Sequence, residues 1–247
     1  MNLKPICLTV FTVIFLSLVM MMNGLTVMIQ GSDYESETVL SDYNATDMSQ
    51  YYAMGEYYPP DEVDTINIDW KGGRVEIIAY DGDYYFVEEA ATRQLQDQER
   101  LAYTISGGEF SVYFSDSEED AVKNAYKKLE IRIPKTTAAQ LKSVVINTDG
   151  EVVLKNIKAD SITVNGNSGN IRCDNTYSKE MNVSTQGGNI DMTLKEEPGY
   201  KLTFDTKRGS ADTYFEMDNG AYSCGNALYS FKIKTGKGNL SVSAASE

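Results

Sequence analysis

A single template recurs seven times between residues 68 and 240 of this 247-residue chain: an apolar residue, four others, Gly, any residue, and a second apolar residue. The clearest copies run Val164 to Ile171 around Gly169, Val183 to Ile190 around Gly188, and Phe204 to Ala211 around Gly209. Ile233 to Leu240 around Gly238 and Val145 to Val152 around Gly150 obey it too, and two earlier copies centre on Gly73 and Gly108. The seven glycines are separated by 35, 42, 19, 19, 21 and 29 residues, so the middle spacings are nearly regular and the outer ones carry insertions. A fixed period of short alternating segments predicts an all-β chain of stacked rungs, none of which buries its own apolar face alone.

Alignment on the glycine gives each rung two inward pairs. Val152, Ile171, Ile190 and Ala211 stand two residues after it, and Leu154, Cys173 and Met192 stand four after. Ile162 and Met181, then Val164 and Val183, fill two further columns, joined by Leu202 and Phe204 after an insertion around Pro198-Gly199. In a strand, residues i and i+2 face the same side, so stacked rungs line these pairs into apolar columns. The glycine fits a left-handed or closely packed corner where a Cβ is costly. The Thr, Asn, Asp and Ser before it are turn formers whose side chains satisfy local backbone groups.

The VxTxxGxI-like turns at Val183–Ile190, Phe204–Ala211 and Ile233–Leu240, with the alternating Leu129-Glu-Ile131-Arg-Ile133-Pro134 segment before them, resemble the DUF4097 family of β-strand-repeat, adhesin-like domains over residues 65–245. The resemblance implies a β-solenoid-like envelope protein, in a family with no established common activity. One insertion, Ser115 to Glu130, places Val122, Ala125, Tyr126 and Leu129 at helical spacing and predicts a short helix. Such a helix would cover an end or side of the stack, or face a partner.

Charge divides the chain. Residues 1–30 hold one charged side chain, Lys4; residues 31–64 hold nine acids and no Lys or Arg; residues 65–247 hold 27 acids and 21 bases, a net of −6 against −14 for the whole. The uncharged run Ile6–Ile29 would rise about 36 Å as a helix, enough to cross a hydrocarbon core of about 30 Å. Lys4 before it and acids after it place the N-terminus in the cytoplasm and the bulk outside. A cleaved signal peptide is the competing reading, although Met20-Met21-Met22-Asn23-Gly24 is a poor cleavage site. The expected organisation is a cytoplasmic stub (1–5), a membrane anchor (6–29), an acidic Tyr-rich linker (30–64) and a β-repeat domain (65–247). The linker reads as a self-repelling spacer or as a recognition strip that orders on a partner.

Several chemistries are excluded at once. The chain has no His, which removes Ser-His-Asp and Cys-His catalysis and histidine metal sites. Its acidity argues against nucleic acid. Asp149, Asp160, Asp174, Asp191 and Asp205 are the carboxylates to weigh for glycosidic or metal-assisted chemistry. They occupy different columns, so stacking does not gather them, and Gly187-Gly188-Asn189-Ile190-Asp191 lacks the third glycine of calcium-binding β-rolls. Gly72-Gly73 and Gly107-Gly108 precede no Lys-Ser/Thr and are not phosphate loops. Cys173 sits in an apolar column as a small hydrophobe; a bridge to Cys224 stays open, since no spacing fixes their distance. No catalytic residue, cofactor site or metal site is assigned. The expected function is a non-enzymatic, membrane-anchored extracellular module that binds cell-wall polymer or another surface partner. An accessory or sensory membrane protein in envelope-stress signalling is the alternative, and a polysaccharide-cleaving enzyme the third reading.

Overall fold

The computed structural model describes residues 52–58, 63–115, 126–195 and 199–245. The run Ile6–Ile29 and residues 116–125, where the expected helix begins, lie outside them. Among the described residues no helix is long and apolar enough to cross a membrane.

Alternation builds two nine-stranded sheets. The first runs, in spatial order, β1 (Tyr52–Tyr58), β4 (Tyr85–Ala91), β7 (Lys127–Pro134), β3 (Arg74–Tyr80), β9 (Glu151–Lys155), β11 (Ile171–Asp174), β13 (Ile190–Leu194), β18 (Leu240–Ala244) and β15 (Ala211–Thr213). The second runs β16 (Ala221–Ser223), β14 (Tyr200–Thr206), β17 (Tyr229–Thr235), β12 (Tyr177–Thr185), β10 (Lys158–Gly166), β8 (Leu141–Thr148), β2 (Thr65–Trp70), β6 (Glu109–Tyr113) and β5 (Ala102–Ser106). A strand of the second sheet turns a corner into a strand of the first, and each such pair is a rung.

The expected columns form. Ile162, Met181, Phe231 and Leu202 pair across parallel strands, as do Val164, Val183, Ile233 and Phe204. On the first sheet Val152, Ile171, Ile190, Leu240 and Ala211 align, with Leu154, Cys173, Met192 and Val242 two residues on. Most of these side chains are wholly buried in one core shared by both sheets. Each such burial contributes about 1.5–3 kcal/mol.

The order of the rungs is not their order in the chain. They stack as β6–β7, β2–β3, β8–β9, β10–β11, β12–β13, β17–β18 and β14–β15. Only the three middle rungs wind sequentially, as a solenoid would. The first copy sits inside the second, and the last copy slots between its two predecessors.

Spatial order explains the glycines. A Cβ on Gly150 would lie 2.1 Å from the carbonyl oxygen of Gly73 in the preceding rung. On Gly169 it would lie 1.9 Å from Gly150 O, on Gly188 1.9 Å from Gly169 O, on Gly238 1.7 Å from Gly188 O, and on Gly209 1.9 Å from Gly238 O. Six glycines therefore form one column in which each occupies the space above its predecessor's carbonyl. Gly73 has φ +87°, but the other five are absent from the positive-φ residues, so close packing decides their identity. The following residue locks the stack: Asn189 N–H donates to Asn170 Oδ1, Asn239 N–H to Asn189 Oδ1, and Ser210 N–H to Asn239 Oδ1, all at 2.9 Å.

The column begins at Lys127, which pairs at the glycine position of the terminal rung and whose carbonyl lies 1.9 Å from a Cβ on Gly73. Its side chain enters the end of the core and is fully buried. There Nζ meets Glu89 Oε1 at 2.5 Å and donates to the carbonyls of Glu99, at 2.8 Å, and Phe114. It also lies 4.1 Å from the Phe114 ring centroid and 5.0 Å from that of Trp70. Burial pushes the Lys127 pKa down, against the opposing pull of Glu89. Outside this plug Glu99 takes Arg93 bidentately, at 2.8 and 2.6 Å, and accepts the Gln96 N–H at 2.8 Å. The opposite end is aromatic: Phe215 stacks on Tyr222 with centroids 3.8 Å apart, and the Tyr200 and Tyr214 hydroxyls meet at 2.9 Å.

Four local expectations change. Gly108 is no corner: with Gly107 it turns the antiparallel hairpin β5–β6, both at positive φ (+60° and +84°). Val145 faces outward and Val144 and Ile146 face in, because only Asp149 separates Thr148 from Gly150 and a one-residue shift flips a strand's faces. The expected helix does not extend over Lys127–Glu130, which are strand, paired on one side with β3 and on the other with β4. The described α-helix is α1 (Lys135–Ala138), after Pro134, and a 3-10 turn covers Asp97–Glu99. Tyr52–Tyr58, within the segment read as spacer, pairs antiparallel with β4.

The doublet Gly187-Gly188 separates packing from backbone freedom. A Cβ on Gly187 meets nothing closer than 3.9 Å. Gly188→Ala is expected to lose at least about 3 kcal/mol in urea unfolding, and Gly187→Ala to stay within about 0.5 kcal/mol of native. Equal effects would contradict the column. A second expectation concerns acid. Arg93 and the Gln96 N–H hold the Glu99 carboxyl down to about 2 from an ordinary 4.5. A carboxyl lowered on folding stabilises fully above its unfolded value, and that stability is lost as pH falls through the folded one. Glu99→Gln is therefore less stable than native at neutral pH, and the gap in urea midpoints closes between about pH 5 and about pH 2. A gap independent of pH would refute this.

Candidate functional site

The most distinctive polar surface follows the corners. At the end of five second-sheet strands a small residue closes the core: Thr148, Gly166, Thr185, Thr235 and Thr206 stand in one row, which Trp70 begins. Three of the hydroxyls tie the corner to its glycine: Thr148 Oγ1 accepts from Gly150 N–H at 2.9 Å, Thr185 from Gly188 at 3.1 Å, and Thr206 from Gly209 at 2.8 Å. Thr235 instead donates to the Gly238 carbonyl at 2.7 Å. The residues between the small residue and the glycine project outward. Glycines apart, they are in spatial order Lys71, Asp149, Asn167 with Ser168, Gln186, Lys237, and Lys207 with Arg208.

Two adjoining concavities run along this edge. One, of about 340 Å³, is lined by Asp69, Trp70, Lys71, Asn147, Thr148, Asp149, Asn165, Gly166, Asn167 and Gln186. The other, of about 510 Å³, is lined by Gly166, Ser184, Thr185, Gln186, Lys207, Arg208, Lys234, Thr235, Gly236 and Lys237. Gly166 and Gln186 belong to both. The first half is amide-rich and laddered: Asn165 Nδ2 donates to Asn147 Oδ1 at 2.9 Å, and Ser184 Oγ to Asn165 Oδ1 at 3.2 Å. The second half is cationic. Six corners at about 4.8 Å per rung give a groove of about 24 Å, open along its length. That shape suits an extended chain rather than one small molecule held on all sides.

The weighed carboxylates are dispersed. Asp149 lines the amide-rich half. Asp160 pairs with Lys179 at 2.6 Å, and Asp205 lies 3.9 Å from Lys234. Asp174 holds Arg172 at 2.8 Å and accepts from Thr193 at 3.2 Å. Asp191 pairs in register with Arg172, so this arginine sits beside both aspartates, an association the columns alone did not reveal. Asp174 foremost, and Asp191, raise the guanidinium's pKa. Among the described residues no three of Cys, Asp and Glu are placed to hold a metal ion. Cys173 is buried and its thiol pushed up to about 12 by desolvation; it and Cys224 carry thiols rather than a disulfide.

The cationic corner is not evident from the repeat template. Its signal was present, as Thr-Lys-Arg-Gly in one copy and Thr-Gly-Lys-Gly in another, but these corners become neighbours only through the exchanged rung order. Lys127 also carried a signal, since it stands where other rungs have glycine.

No curated protein matches the chain. Among solved structures, one described as a "putative cell adhesion protein" from Clostridium sporogenes superposes with a TM-score of 0.61 at 13% identity, covering 79% of this chain and 100% of that one. A "putative adhesin" from Bacteroides fragilis matches with a TM-score of 0.32 at 13% identity, covering 77% and 97%. A "putative lipid binding protein" from Parabacteroides distasonis gives 0.26 at 13%, covering 79% and 97%. At such identities the first likeness is one of fold. The family model for Toastrack DUF4097 matches residues 63–246, and the chain belongs to that family.

Proposed function

We propose that this chain is a non-enzymatic, membrane-anchored module of the cell envelope that holds an envelope polymer along its corner groove. The observation that carries the reading is the groove itself: six successive rungs each contribute polar corner residues to one long, shallow surface. Many weak contacts repeated at a fixed spacing fit a chain-like ligand. The carboxylates support a binding role, because four of the five lie beside a Lys or Arg rather than facing each other across a cleft. The apolar run Ile6–Ile29, with Lys4 before it and acids after it, supports an anchored domain on the outer side. The cell-adhesion description carried by the Clostridium sporogenes protein of similar fold accords with surface binding.

The test is cosedimentation of the full chain, in detergent, with isolated cell-wall material. Retention on wall at low salt is expected, together with loss of retention when soluble wall polymer is added as competitor. Absence of wall retention, with stoichiometric capture of one membrane protein instead, would replace this reading with that of an accessory membrane subunit.

A further inference from the structure

We propose that the cationic half of the groove is a phosphate-binding site, and that the polymer it holds repeats phosphate diesters along its length; this rests on the polymer-binding reading above. The chain carries a net charge of −14, and many of the domain's cations are matched by carboxylates. Lys127 meets Glu89, Lys128 meets Glu130, Lys142 meets Asp64, Lys155 meets Glu76, and Lys179 meets Asp160. Lys158, Lys195 and Lys201 lack such a partner among the described residues as well, but the groove gathers four cations on one concavity. Among the described residues, Lys207, Arg208 and Lys237 have no carboxylate within 4.0 Å, and Lys234 has only Asp205 at 3.9 Å. All four are exposed and line one concavity. Like charges held together repel unless a counter-anion joins them.

The architecture brings them together from distant sequence. Lys237 lies 29 residues beyond Arg208, yet the β17–β18 corner stacks directly against the β14–β15 corner. The cations therefore come from two adjacent rungs about 4.8 Å apart. A phosphate diester carries one full negative charge at every repeat, spread over two non-ester oxygens of a tetrahedral centre, and cations on two adjacent rungs can share it. Arg208 supplies a fork that matches two phosphate oxygens, and the lysines supply mobile point charges. The neighbouring amides of Asn167 and Gln186 continue the groove with groups suited to uncharged hydroxyls between the phosphates.

The experiment measures binding of labelled poly(glycerol phosphate) to the full chain in detergent, beside polygalacturonate and dextran. Native protein is expected to prefer poly(glycerol phosphate) and to lose affinity as salt rises. The K207Q/R208Q/K237Q variant is expected to bind about tenfold or more weakly. K158Q/K195Q/K201Q, which removes the same charge elsewhere on the domain, is expected to change affinity less than about twofold. Unchanged thermal unfolding in both variants establishes that neither effect is loss of fold. Equal weakening in both variants, or equal binding of polygalacturonate, would overturn the proposal. So would displacement by phosphatidylglycerol vesicles where phosphatidylcholine vesicles have no effect, which would move the source to lipid. Displacement by a peptide of residues 31–51 would assign the groove to the chain's own acidic segment. Wall retention that survives the triple substitution sinks this proposal alone. Phosphate-polymer binding through these residues without wall retention sinks the functional reading instead.

Discussion

The carbonyl of each corner glycine fills the space where the next rung's Cβ would be, and everything else in the domain is built at the separation this permits. Any side chain at Gly150, Gly169, Gly188, Gly238 or Gly209 would place a carbon within 2.1 Å of that oxygen. With the glycines present, strands on both sheets reach hydrogen-bonding distance simultaneously. The Asn170, Asn189 and Asn239 side chains then bridge successive corners, and the apolar columns close. Lys127 shows the rule by standing at its end. It contributes the carbonyl on which Gly73 rests, and at the terminal position its own side chain has room to enter the core.

A stack of parallel rungs has two problems to answer, an exposed core at each end and, unlike a closed barrel, unpaired strand edges. This domain answers them with different chemistry. One end is plugged by Trp70, Phe114 and the buried Lys127–Glu89 pair, the other by the aromatic group around Tyr200, Phe215 and Tyr222. Antiparallel strands β4, β5 and β16 flank the parallel stack, and β15 has only three residues to offer a partner. The plug uses polar groups without leaving the lysine unsatisfied: Nζ has a carboxylate, two carbonyls and two aromatic faces. Removing one member of such a pair would strand a buried charge, so its conservation of geometry matters more than its net stabilisation.

The separation of roles across the molecule follows from the same stack. Inward positions are apolar columns, and on the outer face of the first sheet Glu76 and Glu130 are neutralised by Lys128, Lys155 and Arg132. The corners stand apart because they need only a small residue and a glycine at fixed places; what lies between is free to vary. That freedom is used unevenly, with one lysine, Lys71, among aspartates and amides towards one end and Lys207, Arg208 and Lys237 together towards the other. The polarity of the groove is thus a property of rung order.

Much of the architecture was legible from local rules. Alternation assigns side chains to faces because i and i+2 always share one, and so the columns from Val152 to Ala211 and from Ile162 to Leu202 follow from spacing alone. The glycine's structural role was equally plain, although the choice between a left-handed turn and close approach needed the neighbouring rung. Where local signals competed, pairing won: the helical spacing ending at Leu129 yielded to strands on both sides of β7. At Gly108 the template matched a hairpin, because two glycines at positive φ make a turn as readily as a corner. What the sequence could not contain was the order of stacking. Every rung offers similar columns, so which edge receives which rung depends on insert lengths and on the fit of the two ends, and these are non-local. The exchanged order of β17–β18 and β14–β15 brought Lys237 beside Lys207 and Arg208. The sequence by itself determined what each rung is made of; the tertiary structure alone decided which rungs became neighbours, because contacts between rungs exist only after the chain has been brought back upon itself.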